Sequence, residues 1–237
     1  MRFFGFISLR LIMVSITLLV IGISVAVLHP DSPLPSQWNP TKDLSIDAPL
    51  TPITRVQMLR ATRDGATCAK VLHAYGARFD ELPNLDRSEN CHIHDRVRLR
   101  AVGDVRVGPV ETRCDIALRL AMWERHGIRR AAQAAGLRVT RLFHQGSYNC
   151  RKIRTTRGGA DDWSQHATAG AIDIRAFGLE DGRQLALLRH WDGENAGFLR
   201  AAWRTSCDWF KLVLSPEYNS LHADHLHLQA SGWGVCR

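Results

Sequence analysis

His166 and Asp173 close the stretch Ser164-Gln-His-Ala-Thr-Ala-Gly-Ala-Ile-Asp173, and further along stands His222-Ala-Asp-His225-Leu-His227. Imidazole and carboxylate side chains in these numbers form the ligand set of a catalytic zinc that keeps its fourth position open for water. The expected chemistry is polarisation of a carbonyl and hydrolysis of an amide. His166, Asp173, His222, His225 and His227 are the candidate site residues, and three ligand-type side chains among them can hold one metal. Arg151, after Gly146-Ser-Tyr-Asn-Cys, is a candidate for binding a substrate carboxylate or a developing oxyanion through charge-assisted hydrogen bonds. Ser164 is expected to orient His166 or cap its turn, and Tyr148 and Trp163 are expected to pack or to line the cleft. His92-Ile-His94 repeats the His-x-His pattern with no carboxylate at matching spacing, so no metal is assigned to it.

Two strands must bring these groups together. In a strand over Ala171–Phe177, period-2 alternation turns Asp173 and Arg175 to one face and Ile172 and Ile174 to a core. The same alternation in His225-Leu-His-Leu228 puts both histidines on one face, roughly 6 to 7 Å apart along the strand, and Asp224 on the other. A strand over Leu137–Phe143 delivers the Gly146–Arg151 loop at its end. Apolar spacing predicts a helix over Thr54–Gly76, a turn-rich stretch to Glu89, strands within Val97–Val107 and a helix from Cys114 that ends at Gly127 and resumes over Ala131–Ala135. A second amphipathic helix is predicted over Asn195–Phe210, followed by a strand over Lys211–Leu214. Strands and helices mix without regular β-α-β alternation, which predicts α+β with a small antiparallel sheet and flanking helices.

The paired motifs resemble those of the zinc peptidases of the D-alanyl-D-alanine carboxypeptidase, lysostaphin and hedgehog group, which share His-x6-Asp and His-x-His. More closely, the stretch from Pro49 to Arg237 resembles the bacterial extensin-like C-terminal domain through Pro49-Leu-Thr-Pro-Ile-Thr-Arg55, Gly146-Ser-Tyr-Asn-Cys-Arg151, Ser164-Gln-His166, Tyr218-Asn219 and the closing Cys236-Arg237. The resemblance implies a hedgehog-like or D-Ala-D-Ala peptidase-like fold. It assigns zinc to His166, Asp173 and His227, a base or transition-state role to the non-ligand His225, and a further active-site role to His222. Many carboxypeptidase-type members carry Gly three residues after the first ligand; this chain has Ala169, with Gly170 next.

The N-terminus points to export. Arg2 and Arg10 flank or precede an apolar run over Leu11–Leu28, just long enough to cross a bilayer as a helix. It reads as an uncleaved anchor, with Ser24-Val-Ala26 offering the alternative of a signal-peptide cleavage site. Residues 29–52 carry Pro30, Pro33, Pro35, Pro40, Pro49 and Pro52 and read as an extended tether. Residues 53–237 then form one domain.

All six cysteines lie beyond the tether with no Cys-x-x-Cys pair, which predicts three disulfides in an oxidising compartment, their pairing open. Lys and Arg exceed Asp and Glu by 31 to 23. The basic residues are scattered and no aromatic-interleaved motif appears, so the balance reads as a solvated basic face and no nucleic-acid partner is expected. The expected function is a zinc peptidase acting on peptidoglycan on the periplasmic side of the inner membrane; the alternative is a non-catalytic, zinc-stabilised envelope binding module.

Overall fold

The structure is a computed structural model that describes residues 3–29 and 31–237. Arg2 and Pro30 lie outside the described residues. The chain divides into two units, residues 1–60 and 61–237.

In the first unit, helix α1 (Phe3–Leu28) contains a 20-residue span, Leu9–Leu28, with a mean hydropathy of 2.8 and none of it buried. A helix apolar on every side has no polar face to give to water, so it suits a lipid surroundings. By length and composition it is long and apolar enough to cross a membrane, as an anchor or a signal sequence is. The described residues that follow are not an extended tether. Asn39 is fully buried, and its amide donates to the Val27 and His29 carbonyls at 3.2 and 3.0 Å. Its Oδ1 accepts from Thr41 N at 2.8 Å. Gln57 of helix α2 (Pro52–Ala61) donates to the carbonyls of Ser36 and Asn39 at 2.7 and 2.9 Å. Side-chain amides thus take up the carbonyls that a proline-rich strand would leave to solvent, and they fold it into turns.

The helix expected over Thr54–Gly76 is broken in two. Asp64 adopts an extended backbone and its side chain accepts from Thr67 N at 2.9 Å, capping helix α3 (Gly65–Ala74) as a new start.

The second unit is α+β. Its sheet is larger than expected and mixed rather than purely antiparallel. The strands are β1 (Arg78–Glu81), β2 (Leu85–Ser88), β3 (Cys91–Ile93), β4 (Arg96–Val102), β5 (Val105–Arg113), β6 (Val139–Gly146), β7 (Lys152–Thr155), β8 (Gly158–Trp163), β9 (Ala171–Leu179), β10 (Gln184–Ala186), β11 (Leu212–Leu214), β12 (Leu226–Gln229) and β13 (Val235–Cys236). Nine of them form one sheet in the order β1-β4-β5-β6-β9-β12-β11-β13, with β10 also on β9; β2-β3 and β7-β8 are separate hairpins. Two of the short strands, β1 and β2, lie in the stretch expected to be only turns.

Parallel pairing arises at β5-β6 and β11-β13. Between β5 and β6 the chain crosses over through helix α4 (Cys114–Trp123), a π turn at Glu124–Ile128 and helix α5 (Arg129–Ala134), and a crossover of that length returns the strand in parallel. The helix does not stop at Gly127. That residue sits inside the π turn, where an added Cβ would come within 2.6 Å of both Thr205 and Trp123. Gly127 permits close approach of the later helix α7 (Ala196–Ser206), rather than terminating its own. A short helix α6 (Leu187–His190) precedes it.

Trp123 anchors the core, edge-on to Phe177 of β9 and to Phe210, and its indole N–H donates to Ala202 O at 2.9 Å. Three disulfides pair Cys68 with Cys114, Cys91 with Cys150 and Cys207 with Cys236, using all six cysteines. The Cys91–Cys150 bridge ties β3 to the loop that follows β6.

Candidate metal centre

β9 and β12 run antiparallel in a register that sets His227 directly opposite Asp173, Leu226 opposite Ile174 and Leu228 opposite Ile172. The four aliphatic residues are fully buried, so the alternation read from the sequence holds and the polar pair faces outward together. His166 arrives from a different element, a 3-10 turn over Gln165–Thr168. Ser164 caps that turn by accepting from His166 N at 3.3 Å, and Asn149 N donates to His166 O at 2.9 Å. Ala169 closes the turn at φ +49, a left-handed conformation that glycine adopts without strain and alanine does not. Gly170 follows, its N–H on Gln165 O at 2.8 Å. The departure from glycine noted at this position therefore leaves the turn in place.

The three side chains converge. His166 Nε2 lies 3.2 Å from Asp173 Oδ2 and 3.2 Å from His227 Nδ1, and His227 Nδ1 lies 2.9 Å from Asp173 Oδ1. One ligand-type atom from each residue falls within 4.8 Å of the others. Their remaining ring nitrogens are committed elsewhere: His166 Nδ1 to Ser147 O at 2.7 Å, His227 Nε2 to Gln229 Oε1 at 3.3 Å. Ser147 is itself held, its hydroxyl 2.7 Å from both Ala171 O and Thr112 Oγ1. Burial alone would raise the Asp173 carboxyl. The hydrogen bonds and charges of His166 and His227 outweigh it and hold the group far below the usual carboxylate range.

His225 does not lie on the strand. β12 begins at Leu226, and His225 N closes a turn onto His222 O at 3.2 Å. Its Nε2 comes within 3.6 Å of Asp173 Oδ1. The same turn corrects the reading of Asp224, which was assigned to the opposite face. Alternation does not extend back to it, and its Oδ1 lies 2.7 Å from His225 Nδ1 while its Oδ2 accepts from Gln145 Nε2 at 2.8 Å. His222 stands beside both, with ring centroids 5.2 Å from His225 and 5.9 Å from His227, and its Nδ1 faces Asn219 Oδ1 at 2.7 Å. Burial, then the neighbouring His225 and His227, push the His222 pKa down to about 4.

Arg151 is half-buried at the start of the β7-β8 hairpin. Burial and then Arg154 lower its pKa, and the charge of Asp173 opposes them. It therefore senses the carboxylate, although its one side-chain hydrogen bond among the described residues goes to Lys152 O at 3.1 Å. Trp163 is 37% exposed beneath the Lys152 ammonium, and Tyr148 packs under Arg87. His92 and His94 stand apart from the cluster, stacked on each other at 4.4 Å. Asp86 of the adjoining strand β2 supplies a partner for His94 at 2.8 Å that spacing along the chain did not reveal.

Asp224, Gln145, Ser147 and Gln229 are the site residues that sequence reasoning missed. Gln229 had a usable signal, since it lies two residues from His227 on the same strand face. The rest depend on how β6 and the turn before β12 meet.

Residues 66–237 match the family described as Extensin-like protein C-terminus. The chain belongs to that family. The match begins in α3 and runs through every element of the extensin-like second unit, including all the residues of the His–Asp cluster. No curated protein and no solved structure matches the chain.

Proposed function

We propose that this extensin-like chain is a zinc-dependent peptidase acting on peptidoglycan in the cell envelope, held at the inner membrane by α1. One observation carries the reading. His166 and His227 have their spare ring N–H groups committed to Ser147 and Gln229, which fixes the tautomers that direct Nε2 and Nδ1, together with Asp173, at one point. Two histidines and a carboxylate fit zinc with a position left open. When bound there, zinc supplies Lewis acidity toward a scissile carbonyl and toward water.

The other groups divide the remaining work. Asp224 holds the Nδ1–H of His225, so His225 presents the Nε2 lone pair toward the centre and accepts a proton from the attacking water. The same nitrogen returns the proton to the departing amine. Arg151, under the influence of Asp173 yet without a carboxylate partner of its own among the described residues, binds a substrate carboxylate or the oxyanion. His222 is uncharged at neutral pH and offers a further hydrogen-bonding nitrogen at the rim.

Digestion of purified muropeptides by the zinc-loaded full chain, read by mass, tests the proposal. Loss of a terminal D-alanine or scission of a cross-link is expected. Intact muropeptides with zinc fully bound would leave a zinc-stabilised binding module instead.

A further inference from the structure

Cys150 sits between two backbone groups that clasp the His166 turn. On one side of it Asn149 N donates to His166 O at 2.9 Å, and on the other Arg151 O accepts from Ser164 N at 3.1 Å. Three residues before Cys150, the Ser147 carbonyl lies 2.7 Å from His166 Nδ1. The backbone of residues 147–151 therefore meets His166, or the serine that caps its turn, at each of these points. The same backbone sets where Arg151 stands.

Little else holds it. The upstream end is fixed through the Ser147 hydroxyl, 2.7 Å from both Ala171 O and Thr112 Oγ1. Past Ser147, the buried Tyr148 hydroxyl has no hydrogen-bond partner among the described residues, and the side chain of Arg151 turns forward to Lys152 O. The β7-β8 hairpin that follows is exposed along almost its whole length and gives no support from downstream. The core is reached through sulfur instead. Cys150 is bonded to Cys91, which is fully buried in β3, and β3 lies against the turn that carries His166. Cys150 is itself exposed, so it contributes an anchor and not core volume.

We propose that the Cys91–Cys150 bridge positions His166 for metal, so that the chain gains its full zinc affinity only once this bridge has closed; this rests on reading the His–Asp cluster as a zinc site. A histidine whose second ring nitrogen is held by a partner binds metal more tightly than one free to turn, and losing such a partner costs about 10- to 100-fold in affinity. Without the bridge, residues 148–151 are released from β3, and the Ser147 carbonyl and Asn149 N–H lose their fixed direction toward His166. A coupling of this kind is reciprocal, so bound zinc in turn makes the bridge harder to open. Metal loading therefore follows disulfide formation.

Zinc affinity is measured on the full chain in detergent, by competition with a chromogenic chelator, for the wild type, for Cys91→Ala with Cys150→Ala, and for Cys207→Ser with Cys236→Ser. Alanine is used at Cys91 because a hydroxyl at that fully buried position would lack a partner. The alanine pair is expected to bind zinc about 10- to 100-fold more weakly. The serine pair should match the wild type, since its bridge joins α7 to β13 and none of the bonds around His166. Nitrogen-15 spectra of the metal-free proteins give a readout that a mere loss of stability would not move. His166 should carry its proton on Nδ1 in the wild type and populate both tautomers in the alanine pair. Equal zinc affinity, or a proton still fixed on Nδ1, overturns the inference. If the alanine pair does not fold, the bridge is opened in the folded wild type with tris(2-carboxyethyl)phosphine and the thiols are blocked with iodoacetamide. Unchanged zinc affinity with Cys91 and Cys150 both blocked, as read by peptide mapping, overturns it equally. A wild type that binds no zinc removes the function proposed above, whereas equal zinc binding with and without the bridge removes this inference alone.

Discussion

His225 Nδ1 lies 2.7 Å from Asp224 Oδ1, which leaves Nε2 of the same ring turned toward Asp173 at 3.6 Å. A carboxylate that fixes an imidazole tautomer acts on turnover without touching a metal. His225→Ala should therefore keep zinc and lose muropeptide hydrolysis by about a hundredfold or more. Asp224→Asn should keep zinc and lose at least about tenfold, with the His225 ring signals in nitrogen-15 spectra reporting a changed tautomer balance. His227→Ala should lose both metal and activity. Release of zinc by His225→Ala would mean a four-ligand, structural site.

Elemental analysis should find one zinc per chain, and none in His166→Ala or Asp173→Ala. Gln229→Ala should weaken zinc binding by about tenfold, because it frees the His227 ring that Gln229 orients. Zinc should also raise the unfolding midpoint of the wild type, since it binds the folded state only. Full metal content in either ligand variant would sink the assignment.

Thiol titration of the denatured, unreduced chain should find no free thiol, as all six cysteines are paired. Replacing Cys91 and Cys150 together by serine should cost about 2–4 kcal/mol of stability, measured by denaturant unfolding. An unchanged midpoint would show that the bridge does not constrain the unfolded chain.

A pH dependence follows from His222 in the metal-free chain. Its folded pKa is pushed down to about 4 from an ordinary 6.5, so the unfolded chain takes up the proton first as pH falls. Stability from this residue is intact above about pH 6.5, declines toward pH 4 and is then constant. Urea unfolding at a series of pH values should show a shallower slope over that window in His222→Gln. The same slope in both proteins would assign the effect elsewhere.

The meeting of Asp173 with His227 was legible because it obeys a simple period. Ile172, Ile174, Leu226 and Leu228 bury themselves, and the residues between them must face out. What escaped the sequence lies where the period stops. Asp224 was turned away by extending a strand through residues that form a turn, and Gly127 was read as a helix end although it serves packing against Thr205. The α+β class was legible in the mixture of elements. The parallel pairs were not, because they follow from where the α4–α5 crossover and the C-terminal loop return the chain. In residues 31–52 proline content suggested extension, while the buried Asn39 amide decides the conformation.

Two of the three disulfides interleave along the chain: Cys68 reaches past Cys91 to Cys114, and Cys91 reaches past Cys114 to Cys150. A polypeptide emerging N-terminus first into an oxidising space presents Cys68 and Cys91 together before either native partner has arrived. Oxidation in order of emergence would join those two wrongly and leave Cys114 and Cys150 to each other. Reaching the native pairing then takes attack by a free thiolate on the misplaced bond, a process of seconds to hours without a catalyst. Cys207 and Cys236 are consecutive and face no such competition. Maturation of this chain should therefore be limited by isomerase capacity rather than by oxidant, and its yield should fall when only the isomerase is withdrawn.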